Sequence, residues 1–383
     1  MNSLDKFAAE KLHALEAQNL RRWLVETQRS ADAIAFRKGR RLISFCCNDY
    51  LNLSQHDQVK QAAIAATQAF GAGAGASRLV SGNHALYRKL ETALAQLKQT
   101  EDACVFGSGY LANLGIIPVL AGREDVILAD ALSHACLMAG GQLSGAQTLI
   151  FRHNDLAHLE ELLRTHRTSH RHCLILTDGV FSMDGDLAPV RELAALAQHY
   201  DAWLMTDDAH GIGVLNNGRG SSSAAGAKAE VPLQMGTLSK AVGGYGGYIC
   251  ASRAVIDLIR TRARTLIYST GLPPGTVAAA IAALEIIVRE PELCAVPLRK
   301  ARRFSRAMNL PEAQSPIVPL IIGDAARALA LAAMLEEAGF LVTAIRPPTV
   351  PDGTARLRFT FTAAHEDADI DRLVATLRGA GLG

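Results

Sequence analysis

Trp203-Leu204-Met205-Thr206-Asp207-Asp208-Ala209-His210-Gly211 sets an apolar run directly against two acids and a histidine. Lys240 lies thirty-three residues beyond Asp207, at the end of Gly236-Thr237-Leu238-Ser239-Lys240 and just before Ala241-Val242-Gly243-Gly244. The apolar run predicts a buried strand, and the polar residues after it a loop at its carboxyl end. The same unit recurs upstream. Ala103-Cys104-Val105-Phe106, Val126-Ile127-Leu128-Ala129, Thr148-Leu149-Ile150-Phe151 and Cys173-Leu174-Ile175-Leu176-Thr177 are short apolar runs, each followed by helical periodicity. Gly247-Tyr248-Ile249-Cys250 predicts a further strand after the lysine loop. Such alternation predicts an α/β fold, with a mostly parallel central sheet and helices on both faces. Ligands on such a sheet bind outside the carboxyl ends of its strands. The loops starting at Gly107, Ala129, Asp178, Asp207 and Thr237 therefore belong to one rim.

Outside this core the pattern changes. Residues 4–29 predict a helix, and Ile34-Ala35-Phe36 and Leu42-Ile43-Ser44-Phe45 flank Lys38-Gly39-Arg40 as a hairpin. Beyond Pro273-Pro274 come a long helix at 275–289, a strand at 316–322, a helix at 325–338, strands near 341–346 and 355–362, and a helix at 367–379. This predicts a smaller α+β domain at the C-terminal end. The expected division is 1–47 (helix and hairpin), 48–274 (large domain) and 275–383 (small domain).

An acid and a histidine three apart at a strand end, followed by a lysine among small residues, is the set a pyridoxal phosphate site needs. The lysine can hold the cofactor as a Schiff base, and the acid can keep the pyridine nitrogen protonated. Either motif alone reads as readily as an ordinary turn or a solvated loop. Gly107-Ser108-Gly109-Tyr110, between a strand and a helix, offers backbone N–H groups to a phosphate, and Thr237 and Ser239 add hydroxyls. His134 opens a helix at the same rim, where it either stacks on a flat ring or merely caps. Ser182 follows another strand end. Arg356, Arg358 and Thr360 share one face of a strand, suited to a carboxylate or simply to solvent. No nucleoside-triphosphate loop is present, and the glycines at 71, 73 and 75 follow a helix and not a strand, against a dinucleotide fingerprint. His166, His170 and His172 lie far in sequence from the rim and read as a solvated loop, so no metal is expected.

The composition narrows the class. A formal net charge of +2 over 383 residues shows no basic excess of the kind a nucleic-acid binder carries. Seven cysteines without a C-x-x-C pair read as free thiols in a reducing compartment. Neither a signal-peptide h-region nor a run long enough to span a bilayer is visible, so the cytoplasm is expected and no membrane partner.

These residues together resemble the α-oxoamine synthases, pyridoxal phosphate enzymes of the aspartate aminotransferase (type I) fold, over nearly the whole chain from about Arg21 to about Leu373. The resemblance rests on Asn48-Asp49-Tyr50-Leu51, Ser108-Gly109-Tyr110, Ser133-His134-Ala135, Val180 to Asp186, Asp207 to Gly211, the Lys240 run and Tyr268-Ser269-Thr270. The family often has glycine where Ser239 stands. Ser77 to His84, Ala344 to Pro351 and Thr360 to His365 resemble the branch that condenses L-alanine with a pimeloyl thioester. Branches using glycine or serine share the core motifs. The resemblance implies that Lys240 binds the cofactor and moves protons at Cα, and that Asp207 pairs with the pyridinium. It places His210 and Ser182 near the ring hydroxyl and His134 on the ring face. Gly109, Tyr110 and Thr237 are implied for the phosphate, and Arg356 for the amino-acid carboxylate. Thr360 and Arg21 are further substrate candidates. A homodimer with shared active sites is implied, with Tyr268-Ser269-Thr270 reaching the neighbouring site. Coenzyme A and an acyl carrier protein both remain open as carriers, and Arg21, Arg22 and Arg78 as partners for a distal carboxylate or carrier phosphate.

Overall fold

The structure is a computed structural model and describes residues 2–226 and 228–382. Its central sheet has seven strands, in the order Asp102–Phe106, Gly247–Ala251, Leu233–Thr237, Trp203–Asp207, Cys173–Asp178, Val126–Asp130, Gln147–Phe151. Every pairing is parallel except those of Gly247–Ala251, which runs antiparallel to both neighbours. All of these strands but Gln147–Phe151 are buried almost throughout, which is why most of them read as continuous apolar runs and not as alternating ones. This is the type I fold expected from the sequence, with a smaller sheet region beside it.

Leu233–Thr237 is a strand that the sequence pattern did not reveal. Its Gln234 interrupts the apolar run, yet it is fully buried and accepts from Ser222 Oγ at 2.7 Å. The partner that satisfies it comes from another segment, so local pattern could not find the strand.

The first helix is shorter than expected. It spans Ser3–Ala17, and the chain turns at Asn19, which has φ 56°. Leu20 N–H donates to Leu15 C=O at 2.8 Å and closes the end. Trp23 and Leu24, counted into its apolar stripe, are exposed beyond that turn. No residue of this helix is buried, so no tertiary contact extended it.

The hairpin Ile34–Arg37/Arg40–Ser44 forms as expected, and Phe340–Leu341 joins it in parallel. Ile34, Ile43 and Phe45 share an apolar cluster with Phe304, Phe340, Phe359 and Leu373. A three-stranded antiparallel sheet, Ile317–Gly323, Ala355–Thr360 and Thr343–Ile345, lies in the same region. The helix Pro274–Arg289 instead packs on Asp57–Phe70 and Leu86–Lys98, with the core of the large sheet.

Beneath the rim is a fully buried ion pair. Lys98 Nζ lies 2.6 Å from Asp208 Oδ2 and donates to Arg219 C=O at 2.6 Å. Ser221 N–H completes the cage at 3.0 Å from both carboxylate oxygens. Gly220, at φ +93°, lets the backbone pass where a side chain would strike Asp208. Lys98→Met leaves a buried carboxylate without its counter-ion, which costs on the order of 3–5 kcal/mol. Urea unfolding of the cofactor-free protein should show that loss, and a change below ~1 kcal/mol would mean the pair is dispensable.

Candidate active site

The carboxyl ends of the parallel strands bring the rim residues together. Asp130, Asp178, Asp207 and Thr237 each end a strand, and all four are buried. His134 follows the first, Ser182 the second, His210 the third and Lys240 the fourth, so residues far apart in sequence share one rim.

Lys240 Nζ lies 2.8 Å from His210 Nε2, and His210 Nδ1 lies 2.6 Å from Tyr50 Oη. Burial lowers the Lys240 pKa to about 8, with the nearby charges of Asp207 and Asp178 opposing the shift. Burial, and then the Lys240 charge, hold His210 well below its ordinary value, so its ring is neutral. The ammonium donates to Nε2, which leaves the ring hydrogen on Nδ1 facing Tyr50. Tyr50 was legible only as part of a loop motif. Asp49 fixes that loop by accepting from Leu53 N–H at 3.0 Å and Ser54 N–H at 3.2 Å.

Asp207 Oδ2 accepts from Asn113 Nδ2 at 2.8 Å, and Oδ1 from Ala209 N–H at 3.0 Å. Asn113 also contacts Cys136 Sγ at 3.0 Å, and that sulfur lies 2.8 Å from His134 Nδ1. Burial and the Asp207 charge push the Cys136 thiol up to about 12, so it stays neutral. Asn113 lies inside a helix and Cys136 one residue beyond the Ser133-His134-Ala135 motif, and sequence reading missed both. Burial and the neighbouring Asp207 charge raise the Asp178 carboxyl well above its ordinary value. His134 N–H donates to its Oδ2 at 2.8 Å.

Ser108 caps the helix Gly109–Leu120, accepting from Leu111 N–H at 3.1 Å. The first N–H groups, of Gly109 and Tyr110, have no intrahelical acceptor by geometry. Thr237 Oγ1 lies beside this helix start, 3.5 Å from where a Cβ on Gly109 would stand, and 2.7 Å from Ser239 Oγ. A side chain at Gly247 would strike the Ser108 backbone, so this approach requires glycine.

The arginines divide differently from expectation. Arg356 is held by Asp184 Oδ1 at 2.5 Å, Met183 C=O at 3.3 Å and Thr354 C=O at 3.0 Å. That ion pair occupies the guanidinium proposed for the carboxylate. Arg358 donates to Ser182 C=O at 2.5 Å and Asn48 Oδ1 at 3.2 Å, while its Nη2 is buried without a partner among the described residues. Its charge is felt by Lys240, His210 and Tyr50, which places it in the site.

Thr360 Oγ1 donates to Cys47 C=O at 2.8 Å and is fully buried. Arg21 pairs with Glu16 at 2.9 Å and lies over the Trp23 ring, and Arg22 reaches Thr349 Oγ1 at 2.9 Å. Neither Thr360 nor Arg21 hydrogen-bonds to Lys240, His210 or Arg358. Arg78 is taken up by Glu91 at 2.7 Å and by the face of Tyr87. Among the described residues, no group of three His, Cys, Asp or Glu side chains is placed to hold a metal, and no helix is long and apolar enough to cross a membrane.

The family model for aminotransferase class I and II matches residues 40–377. The 8-amino-7-oxononanoate synthase of Methylocella silvestris is 65% identical over 342 residues, covering 89% of this chain and 97% of that protein. The chain belongs to the class I and II aminotransferase family. Within it, this is an α-oxoamine synthase. The 8-amino-7-oxononanoate synthase of Maricaulis maris is 59% identical over 376 residues, covering 98% and 96% of the two chains. A serine palmitoyltransferase variant from S. paucimobilis, solved with a bound PLP–myriocin aldimine, superposes with a TM-score of 0.92 at 29% identity, over 100% of this chain and 98% of that one.

The family's cofactor is pyridoxal phosphate, and this chain is a pyridoxal phosphate-dependent enzyme of acyltransferase type. The residues present fit the group. Asp207 is buried against two neutral N–H donors, and no Lys, Arg or His lies within ion-pair distance of it among the described residues. A protonated ring nitrogen would supply a positive partner there.

Proposed function

We propose that this enzyme condenses L-alanine with a pimeloyl thioester, releasing CO2 and free thiol and giving 8-amino-7-oxononanoate. The observation that carries the reading is the unpartnered Arg358 Nη2 in the group formed by Lys240, His210 and Tyr50. A buried cationic donor beside a lysine of lowered pKa suits an amino-acid carboxylate. The names of the 65% and 59% identical relatives support alanine and a pimeloyl donor.

When bound, the cofactor supplies a protonated aromatic ring that withdraws the electron pair left at the amino acid Cα. Lys240 would hold the cofactor covalently at rest, and Asp207 would hold the ring-nitrogen proton. Gly109 and Tyr110 N–H and the Thr237 hydroxyl would take the phosphate. His134 would lie on the ring face, with His210 and Ser182 at the ring hydroxyl. Once displaced, Lys240 Nζ takes the Cα proton as a positioned base and later returns it. Arg358 holds the carboxylate until it leaves as CO2. Arg356 acts differently from the sequence expectation, tying the Ser182 turn to the small sheet through Asp184. Thr360 and Arg21 keep the weaker assignment as substrate candidates.

A homodimer with shared sites belongs to the same proposal. Tyr110, Tyr245 and Tyr268 are each at least half exposed in the single chain; Tyr110 is in the first turn of the helix Gly109–Leu120, and Tyr268 lines a cavity of about 600 Å³ beside that helix. A second copy would cover them. Cytoplasmic placement is proposed with it.

The test is thiol release from pimeloyl-coenzyme A, and from the same acyl group on a carrier protein, with L-alanine, glycine or L-serine. Release with L-alanine and a product of the expected mass supports the reading. Release only with glycine or serine moves the enzyme to another branch. Arg358→Gln should raise KM for the amino acid by ~30–100-fold, the worth of a charge-assisted pair, with a smaller change in kcat. Equal effects on the two constants would remove Arg358 from the carboxylate.

A further inference from the structure

We propose that His153 is a positioning residue, its ring bridging Asp130 and Asp186 so that the His134 loop and the Ser182 hairpin hold the substrate arginine in place. This rests on the function proposed above. His153 Nδ1 lies 2.9 Å from Asp130 Oδ1, and Nε2 lies 2.7 Å from Asp186 Oδ2. A neutral imidazole has one N–H and would set its bare nitrogen against a carboxylate. Both contacts are satisfied only by imidazolium. Burial lowers its pKa, but hydrogen bonds to both acids outweigh that and push it up to about 10. Phe181 packs on the ring edge-on at 4.4 Å.

Each acid governs one loop. Asp130 accepts from Leu132 N–H and Asn154 N–H at 2.8 Å, and its carbonyl accepts from Ser133 N–H at 3.0 Å, just ahead of His134. Asp186 closes the other loop, where Phe181 N–H donates to its carbonyl at 3.0 Å and Val180 pairs with Leu187. That hairpin carries the acceptors for Arg358 and Arg356, namely Ser182 C=O and Asp184. His153 hydrogen-bonds to neither Lys240 nor His210. Its influence on the site passes through the hairpin, from the large sheet to the strand that bears the arginines.

The test uses the cofactor-loaded enzyme and reads L-alanine binding from the visible absorbance, separately from turnover. His153→Gln keeps one donor and loses the charge, so the dissociation constant for L-alanine should rise ~10-fold, about one well-made hydrogen bond, with the resting spectrum unchanged. Adding Asp186→Asn gives the glutamine oxygen an amide N–H to accept. The double variant should return to within ~3-fold of wild type, since a neutral pair replaces the ionic one. Asp186→Asn alone carries the same expectation of weaker binding and stands in if the His153 variant does not fold. Unchanged binding in the single variants, or a double variant as weak as His153→Gln, overturns the proposal. The wild-type preference among L-alanine, glycine and L-serine tests the proposed reaction. The ratio of variant to wild type, taken with whichever of them binds, tests the positioning role.

Discussion

Lys240→Ala is expected to abolish turnover, lowering the rate by ~10³-fold or more, the upper range for a positioned base that also holds the cofactor. The substitution removes one contact, to His210 at 2.8 Å, from a partly buried loop, so the fold should survive it. Two readouts check it. Thiol release reports the reaction, and the visible spectrum of protein mixed with pyridoxal phosphate reports covalent attachment. Loss of both ties Lys240 to both roles, whereas normal turnover would sink the mechanism. Burial lowers the Lys240 pKa to about 8, and a reactive amine must be neutral. Attachment to cofactor-free protein should therefore accelerate as pH rises through about 8 and slow below it as the ammonium forms. A flat profile between pH 7 and 9 would mean that another group limits attachment.

Asp207→Asn should keep part of the cofactor and lose most of the activity, with kcat down by ~10²–10³-fold, the scale seen when one preorganised electrostatic partner is removed. An amide cannot balance a pyridinium charge, so the ring loses its pull on the electron pair at Cα. The phosphate contacts proposed at Gly109, Tyr110 and Thr237 are untouched, which is why cofactor retention and rate should separate. Absorbance of the loaded variant measures the first, and saturating kinetics the second. An unimpaired variant would mean that the ring is tuned by something other than Asp207. Asn113 is the neighbour that such a result would implicate, because it supplies the hydrogen bond at Oδ2.

The rim was legible because its residues follow strand ends, and an apolar run stopped by an acid is a local signal. Cys173–Asp178 and Trp203–Asp207 ended within a residue or two of where the pattern placed them. The first helix and the strand Leu233–Thr237 were misjudged for opposite reasons. One had an apolar stripe with nothing to bury it, and the other had a polar residue satisfied from elsewhere.

The sequence by itself determined the α/β architecture, the rim loops and the placing of Lys240, Asp207 and His210 on one rim, since periodicity and strand-end chemistry are local. Only the tertiary structure distinguishes the surroundings of Arg356 and Arg358, on which the proposed carboxylate role rests. Their spacing puts both on one strand face, and the difference lies in Asp184, which comes from a hairpin 172 residues away and binds the first, while Nη2 of the second has no partner among the described residues. It also supplied Asn113, Cys136 and His153. Their contacts, Asn113 with Asp207 and with Cys136 and His153 with Asp130 and Asp186, join separate segments of the chain and leave no periodicity to read.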